Sequence, residues 1–217
     1  MDYIKADKPT NNINLIEDFI FPTAIYRLTA EDVAKTVARN AIVDFIQKRR
    51  TIDSEGRERS NYRGWQSNDL VEDSLKSPDL LKLWDTVIDS TKAIGVKQQL
   101  AEFYQHYIGS SWANINESHI QHNVNHCHPQ TYYASIYYAQ AAEGHGALVL
   151  QDPRPAAAFS INHSKELDAR YNMPSINIDP VEGDLLLIPG WLFHCVLPND
   201  NQDVERIVIA SNVVLRE

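Results

Sequence analysis

The sequence has only two cysteines, Cys127 and Cys195, among its 217 residues. It also lacks any run of about 18 apolar residues, and its first residues contain no apolar segment of the signal-peptide kind. Two cysteines exclude a disulfide-rich scaffold, and the missing apolar run argues against a transmembrane helix. We therefore expect a cytoplasmic protein without a membrane partner, in which both cysteines are reduced.

Basic residues are outnumbered as well, with 20 Lys and Arg against 29 Asp and Glu and a formal net charge of -9. Proteins that bind nucleic acid usually carry basic patches, so this balance argues against a nucleic-acid partner. Net charge says little about a small substrate, because it acts mainly on solubility. The chain has the length of a single domain with a substantial core, and a homodimer is compatible with it.

The N-terminal half, residues 1–110, shows mainly helical periodicity. Apolar residues at helical spacing predict two helices, the second with a break near Gly95. A strand-like segment precedes the first helix, and a charged stretch that predicts a loop separates the two. The expected elements are a strand within 14–29, a helix over about 30–48, a loop over 49–64 and a helix over about 78–108.

From residue 111 the pattern changes to short extended runs separated by turn residues. The runs predict strands at Ser111–Asn116, Thr131–Gln140, Gly146–Leu150, Ser175–Ile178, Gly183–Ile188 and Arg206–Leu215. We therefore predict an α+β, mainly β fold. It is a double-stranded β-helix of the jelly-roll or cupin kind over residues 111–217, with the helices of the first half packed on one side. Both halves form one domain, residues 1–217.

Three histidines stand where they could share a metal ion. His126 and His128 are two residues apart, so on an extended chain both side chains point the same way. His194 follows an apolar run, where a polar residue needs a partner or a function, and a neighbouring strand could bring it to the same point. The three predict a site for a small, open-sided metal ion. Four further histidines are expected on the surface or in loops: His119, His122, His145 and His163.

Seven short segments resemble the 2-oxoglutarate and iron(II)-dependent oxygenase superfamily, and within it a small group of bacterial and phage 2OG-Fe(II) oxygenases. They are Gly64–Ser67, Trp112–Asn116, His126–Pro129, Ser135–Tyr138, Leu148–Arg154, Gly183–His194 and Arg206–Asn212. Each motif is weak alone, but together they keep the family's order over most of the chain. The resemblance implies an enzyme that uses iron(II), 2-oxoglutarate and O2 to hydroxylate an unidentified substrate, with succinate and CO2 as coproducts.

Carried over position by position, the resemblance assigns His126 and His194 as metal ligands. Arg206 takes the role of the cation that pairs with the distal carboxylate of 2-oxoglutarate, and Tyr138 is placed to donate its hydroxyl to the same group. The family usually has a carboxylate where this chain has His128, which implies a site of three histidines. Asp152 is the alternative source of a carboxylate ligand.

Two other classes of function fit part of this pattern. A pair of histidines two residues apart, joined by a third from another strand, also describes zinc sites of hydratases or hydrolases. That alternative leaves Arg206 and Tyr138 without a role. The other alternative is a cupin-like binding module without turnover. The stretches 49–64 and 156–174 lie where such folds carry substrate-shaping insertions, but their residues do not identify a substrate.

Overall fold

The computed structural model describes residues 21–154, 173–201 and 203–217, and these contain three α-helices, one 3-10 helix and eleven strands. The helices are α1 (Ala30–Ala34), α2 (Arg39–Ile52), the 3-10 helix (Val71–Lys76) and α3 (Pro78–Lys97). The strands are β1 (Tyr26–Leu28), β2 (Asn61–Tyr62), β3 (Trp65–Gln66), β4 (Gln105–Asn116), β5 (His122–His126), β6 (Tyr133–Gln140), β7 (Leu148–Gln151), β8 (Ser175–Ile178), β9 (Leu185–Pro189), β10 (His194–Val196) and β11 (Arg206–Arg216).

The strands form two antiparallel sheets. The larger has the order β1-β9-β6-β11-β4-β3, and the smaller has the order β2-β5-β10-β7-β8. Helices α2 and α3 contact strands β6 and β4 of the larger sheet. The predicted fold, a mainly β double-stranded β-helix with helices on one side, is confirmed by this arrangement.

Alternation along the central strands separates two hydrophobic cores. On β6, Tyr133 and Tyr137 pack with the helices, whereas Ala134 and Tyr138 pack between the two sheets. On β11, Ile207 likewise belongs to the helix-facing core. Because side chains on a strand point alternately to its two faces, Arg206, Val208, Ala210 and Asn212 of β11 line the space between the sheets. The alternation therefore places polar side chains of β11, among them Arg206, in the space between the two sheets.

The predicted helix over 78–108 is wrong at its C-terminal end. Helix α3 ends at Lys97, and Gln99 adopts a left-handed backbone with φ of 55°. Phe103, which fits the helical spacing in the sequence, is exposed, and the chain enters β4 at Gln105. The first half of β4 alternates between exposed and half-buried residues, as a strand does. Within the described residues, no helix combines the length and the apolar character needed to cross a membrane.

Other predicted boundaries also shift. The helix expected over 30–48 is two helices, α1 and α2, and α2 runs on to Ile52, so the expected loop over 49–64 is shorter and contains β2. Only β1 of the strand segment 14–29 is observed, and residues 14–20 lie outside the described residues. Strand β5 had not been predicted. His126 therefore ends a strand of its own, ahead of the strand that the sequence predicts over Thr131–Gln140.

Candidate active site

The structure brings His126, His128 and His194 together between the sheets. His126 ends β5 and lies opposite His194, which opens β10, in an antiparallel pair. His128 follows two residues later, and its backbone N–H donates to the carbonyl of Gly190 at 2.7 Å. The ring centroids are 4.4 Å apart for His126 and His194, and one potential ligand atom from each histidine lies within 4.8 Å of the others. No other group of this kind occurs among the described residues.

Hydrogen bonds fix the orientation of two of these imidazoles. Nδ1 of His126 donates to the carbonyl of Val124 at 2.7 Å, and Nδ1 of His194 donates to the carbonyl of Leu192 at 2.9 Å. A carbonyl oxygen can only accept, so Nδ1 carries the proton and Nε2 keeps its lone pair. A bond of this kind on the second ring nitrogen is the usual support of a metal-binding histidine.

Burial keeps all three imidazoles neutral. Burial, together with the neighbouring imidazoles, lowers the pKa of His128 to about 3. Burial and the His126 imidazole lower the pKa of His194 to about 4, against the opposing effect of its bond to Leu192. Burial also lowers the pKa of His126, against the opposing effect of its bond to Val124. Neutral imidazole is the form that coordinates a metal. The donor set therefore fits a divalent ion such as iron(II) or zinc.

Arg206 is a buried cation that has no acidic partner in the part of the chain that the structure describes. Only 2% of the residue is exposed, and burial lowers the pKa of its guanidinium to about 10, which still leaves it charged at neutral pH. Nη1 donates to the carbonyl of Gly146 at 3.1 Å. No carboxylate lies within 4.0 Å of the guanidinium among the described residues, and the buried Nε has no hydrogen-bond acceptor. A buried charge normally has a partner, so this site fits an anionic ligand.

Tyr138 lines the same inner cavity as Arg206 and His194. Burial raises the pKa of its phenol to about 12, although the positive charge of Arg206 opposes the shift. The hydroxyl is therefore a neutral donor at neutral pH. The cavity is lined by apolar residues, serines and asparagines in addition to the histidines, and none of its described lining residues is acidic.

An open groove of about 750 Å³ adjoins the histidines. His126, His128 and Trp112 form part of its wall, and Trp112 stacks on His128 at 5.7 Å between ring centroids. Gln66 lines it as well, buried, and its Oε1 has no hydrogen-bond donor. The groove thus offers a molecule outside the cavity direct access to the histidine cluster.

The alternative carboxylate, Asp152, is not part of the histidine cluster. Its carboxylate accepts from Nε and Nη2 of Arg154 at 2.9 and 2.8 Å, and this pairing lowers its pKa. Asp152 therefore has a structural partner of its own. Arg154 is exposed and engaged in this pair.

The other four histidines named from the sequence lie apart from this cluster or outside the described residues. His119 is exposed, and His122 is half-buried on β5, where it pairs with Tyr62 of the edge strand β2 with the two rings 4.8 Å apart. His145 lies in a loop, as expected, but it is buried, with Nε2 hydrogen-bonded to the carbonyl of Val204 at 2.8 Å. His163 falls outside the described residues.

Sequence reasoning missed the polar residues that surround Arg206, chiefly Asn116 and Asn199, both fully buried. One signal was available for the first of them. Asn114 and Asn116 occupy alternate positions of β4, and their intervening neighbour Ile115 packs with the helices. Polar side chains repeated on one face of a buried strand indicate a polar cavity. Asn199 lies in a loop and carries no such signal.

Comparison with known proteins shows what this chain is similar to. Residues 110–212, just under half of the chain, match the family model described as "Putative 2OG-Fe(II) oxygenase". No curated protein sequence matches the chain significantly. The match confirms the resemblance predicted from sequence: the chain is similar to 2OG-Fe(II) oxygenases, a class of enzymes that uses iron(II), 2-oxoglutarate and O2.

Solved structures agree on the fold. A prolyl-4-hydroxylase from Pseudomonas putida is similar over 90% of this chain and 94% of its own, with a TM-score of 0.57 and 11% identity. The α-ketoglutarate-dependent epimerase SnoN of nogalamycin biosynthesis is similar over 88% of this chain and 78% of its own, with a TM-score of 0.55 and 10% identity. A second SnoN structure, with a TM-score of 0.53 at 11% identity, covers 88% of this chain and 79% of its own and contains Fe3+, α-ketoglutarate and nogalamycin RO. At such low identity these likenesses establish the fold alone.

Proposed function

We propose that His126, His128 and His194 hold iron(II) in a 2-oxoglutarate-dependent hydroxylase. The observation that carries this proposal is the combination of three neutral, convergent imidazoles with a buried arginine that has no acidic partner among residues 21–154, 173–201 and 203–217. The Nε2 lone pairs of His126 and His194 are free because both Nδ1 atoms are engaged with backbone carbonyls. A metal site by itself would not need the buried cation.

Arg206 binds the distal carboxylate of 2-oxoglutarate in this proposal, and Tyr138 donates its hydroxyl to the same group. Both residues line the inner cavity together with His194, so the cosubstrate would reach from the cation to the metal. Two parallel N–H···O bonds to a carboxylate orient it as well as bind it. The apolar lining between the sheets excludes water around these charges, which strengthens their interaction.

Bound iron(II) supplies the redox chemistry in which O2 oxidises 2-oxoglutarate to succinate and CO2 and the substrate to its hydroxylated form. The protein's part is to hold three imidazoles in place and to orient the cosubstrate. The prime substrate binds in the outer groove, which reaches His126 and His128 beside Trp112. There Oε1 of Gln66 offers an acceptor to an N–H or O–H donor on the substrate.

The test is to mix the metal-free protein with iron(II) and 2-oxoglutarate without oxygen. We expect a metal-to-ligand charge-transfer absorption band that saturates at one equivalent of each component, because a keto acid chelates the metal. Exposure to O2 should then release succinate, even if slowly in the absence of a prime substrate. Lack of the band with both components bound would refute cosubstrate chelation. Succinate release would exclude a binding module without turnover.

A zinc enzyme with three histidine ligands is the second candidate, because the donor set contains no carboxylate. In that case bound water would be the reactive group, and Arg206 would have no ligand to bind. A binding titration distinguishes the two functions. An iron enzyme of this class binds 2-oxoglutarate in proportion to its metal content. A zinc hydratase or hydrolase would show no affinity for 2-oxoglutarate in the metal-loaded state.

A further inference from the structure

The guanidinium of Arg206 is held by neutral acceptors on two sides. Nη1 donates to the carbonyl of Gly146. With the Asn116 carboxamide oriented so that its nitrogen donates to the carbonyl of Ile115 at 3.1 Å, its oxygen accepts from Nη2 of Arg206 at 3.0 Å. Asn116 is the register partner of Arg206 between β4 and β11, so the two side chains leave neighbouring strands side by side.

Asn199 joins the two elements that supply these acceptors. Its Oδ1 accepts from the backbone N–H of Gly146 at 3.0 Å, and its Nδ2 donates to the backbone carbonyl of Asn116 at 2.9 Å. Position 146 also requires glycine, because a Cβ there would lie 1.7 Å from the carbonyl oxygen of Leu197. Asn199 thereby fixes the spacing between both acceptors of the arginine.

One edge of the guanidinium stays free. Nε has no acceptor, and Nη2 has a second hydrogen beyond the one directed at Asn116. Nε–H and one N–H of Nη2 lie on the same edge of the planar group, which is a geometry that a carboxylate accepts with both oxygens. The bonds to Gly146 and Asn116 use one hydrogen on Nη1 and one on Nη2, so they orient the group and determine which edge a ligand meets.

We propose that Asn116 and Asn199 are positioning residues that form a neutral clamp on Arg206, and that this neutrality makes the site selective for an anionic cosubstrate. An aspartate at position 116 would neutralise the arginine within the protein. A carboxamide of the same shape holds the guanidinium and leaves its charge to the ligand. The cavity shows the same property as a whole, since its described lining contains no acidic residue. This inference rests on the proposed binding of 2-oxoglutarate by Arg206.

The decisive variant is Asn116→Asp, which keeps the size of the side chain and adds one negative charge beside Nη2. The measurement is the dissociation constant of 2-oxoglutarate, and of its γ-amide 2-oxoglutaramate, for the iron-loaded protein without oxygen. We expect the wild-type protein to bind 2-oxoglutarate more tightly than the γ-amide. In Asn116→Asp, 2-oxoglutarate should bind at least tenfold more weakly and the γ-amide about as well as before. The unfolding temperature does not discriminate here, because the substitution also removes the hydrogen bond from the Asn116 nitrogen to the carbonyl of Ile115.

A purely structural role predicts something different. It would weaken the binding of both ligands equally. Asn199→Ala loosens the clamp without adding charge. It should therefore weaken the binding of 2-oxoglutarate severalfold and leave the iron affinity unchanged. Asn123→Asp is the matched control, because Asn123 lines the same cavity but does not contact Arg206. An equal loss of selectivity in this control would show that any negative charge in the cavity suffices, and would overturn the clamp.

Failure of the clamp is distinguishable from failure of the proposed function. Suppose that Arg206→Ala no longer binds 2-oxoglutarate but Asn116→Asp still prefers 2-oxoglutarate to the γ-amide as the wild-type protein does. The proposed clamp is then wrong and the proposed function stands. If the wild-type protein does not bind 2-oxoglutarate, both are wrong.

Discussion

Replacing Arg206 is the most direct test of cosubstrate binding. In Arg206→Ala, the two charge-assisted hydrogen bonds of the free guanidinium edge are lost. Hydrogen bonds to charged groups contribute roughly 1.5–3 kcal/mol each. The loss of other contacts, to Gly146 and Asn116, affects the free and the bound protein alike and largely cancels in the binding equilibrium. Two such bonds amount to about 3 kcal/mol or more, so we expect 2-oxoglutarate to bind at least on the order of a hundredfold more weakly, a change of about 2.7 kcal/mol or more.

The assay is an anaerobic titration of 2-oxoglutarate into the iron-loaded protein, followed by the charge-transfer band. Arg206→Lys should recover only part of the affinity, because an ammonium group lacks the two-pronged geometry of guanidinium. Iron affinity should be nearly unchanged in both variants, since Arg206 does not belong to the histidine cluster.

Arg154→Ala is the matched control, because Arg154 is an exposed arginine already paired with Asp152. It should bind 2-oxoglutarate like the wild-type protein. Wild-type affinity in Arg206→Ala together with a weakened Arg154→Ala would show that Arg154 holds the carboxylate. Wild-type affinity in both would show that neither arginine does, and the reasoning from the unpaired buried cation would be refuted.

Four further outcomes are expected. His194→Ala should abolish stoichiometric iron binding with the fold retained by circular dichroism, whereas His122→Ala, on the strand that carries His126, should bind iron normally; equal affinities would mean that the site is misassigned. Asp152→Ala should leave the iron content, measured by metal analysis, unchanged; a loss of iron would show that Asp152 is a metal ligand after all. Tyr138→Phe should weaken 2-oxoglutarate about fivefold to tenfold, by about 1–1.4 kcal/mol for one neutral hydrogen bond, in the same titration. Burial lowers the pKa of His145, so its contribution to stability is present above its unfolded pKa of about 6.5 and is lost as the pH falls. In urea unfolding of the metal-free protein, His145→Gln should therefore reduce the loss of unfolding free energy below pH 6.5, by at most about 1.4 kcal/mol per pH unit. An unchanged dependence of the unfolding free energy on pH would contradict this.

The sequence was sufficient for the fold and for the residues that share local patterns. Strands with continuous apolar runs, such as β9, were predicted almost at their observed bounds because all five of its residues are buried. The positions of His126 and His128 followed from simple alternation. His194 was found because it interrupts an apolar environment, and the structure shows it to be buried.

Short polar strands escaped prediction for a physical reason. Strand β5, His122–His126, contains one apolar residue, Val124, and that residue is exposed. Its conformation depends on pairing with β2 and β10, which are distant in sequence. Periodicity reports only on neighbours along the chain, so it cannot detect a strand that exists because of its partners.

The surroundings of Arg206 were inaccessible for the same reason. Gly146 and Asn199 are separated by 53 positions, and the bond from Asn199 to Asn116 spans 83. The resemblance to a family suggested the arginine, but nothing in the sequence indicated whether an acid would stand beside it. Only the packed structure shows that the acceptors around the guanidinium are neutral.

The absence of acidic residues from the described cavity lining connects the metal site with the cosubstrate site. With His128 where the family usually has a carboxylate, the three protein ligands carry no charge that would offset a divalent metal. Arg206 adds a second, uncompensated positive charge to the same enclosed space, where charges are weakly screened. 2-Oxoglutarate is a dianion with one carboxylate for each of these positive centres. Bound as proposed, it would supply at both ends of the cavity the negative charge that the described lining lacks.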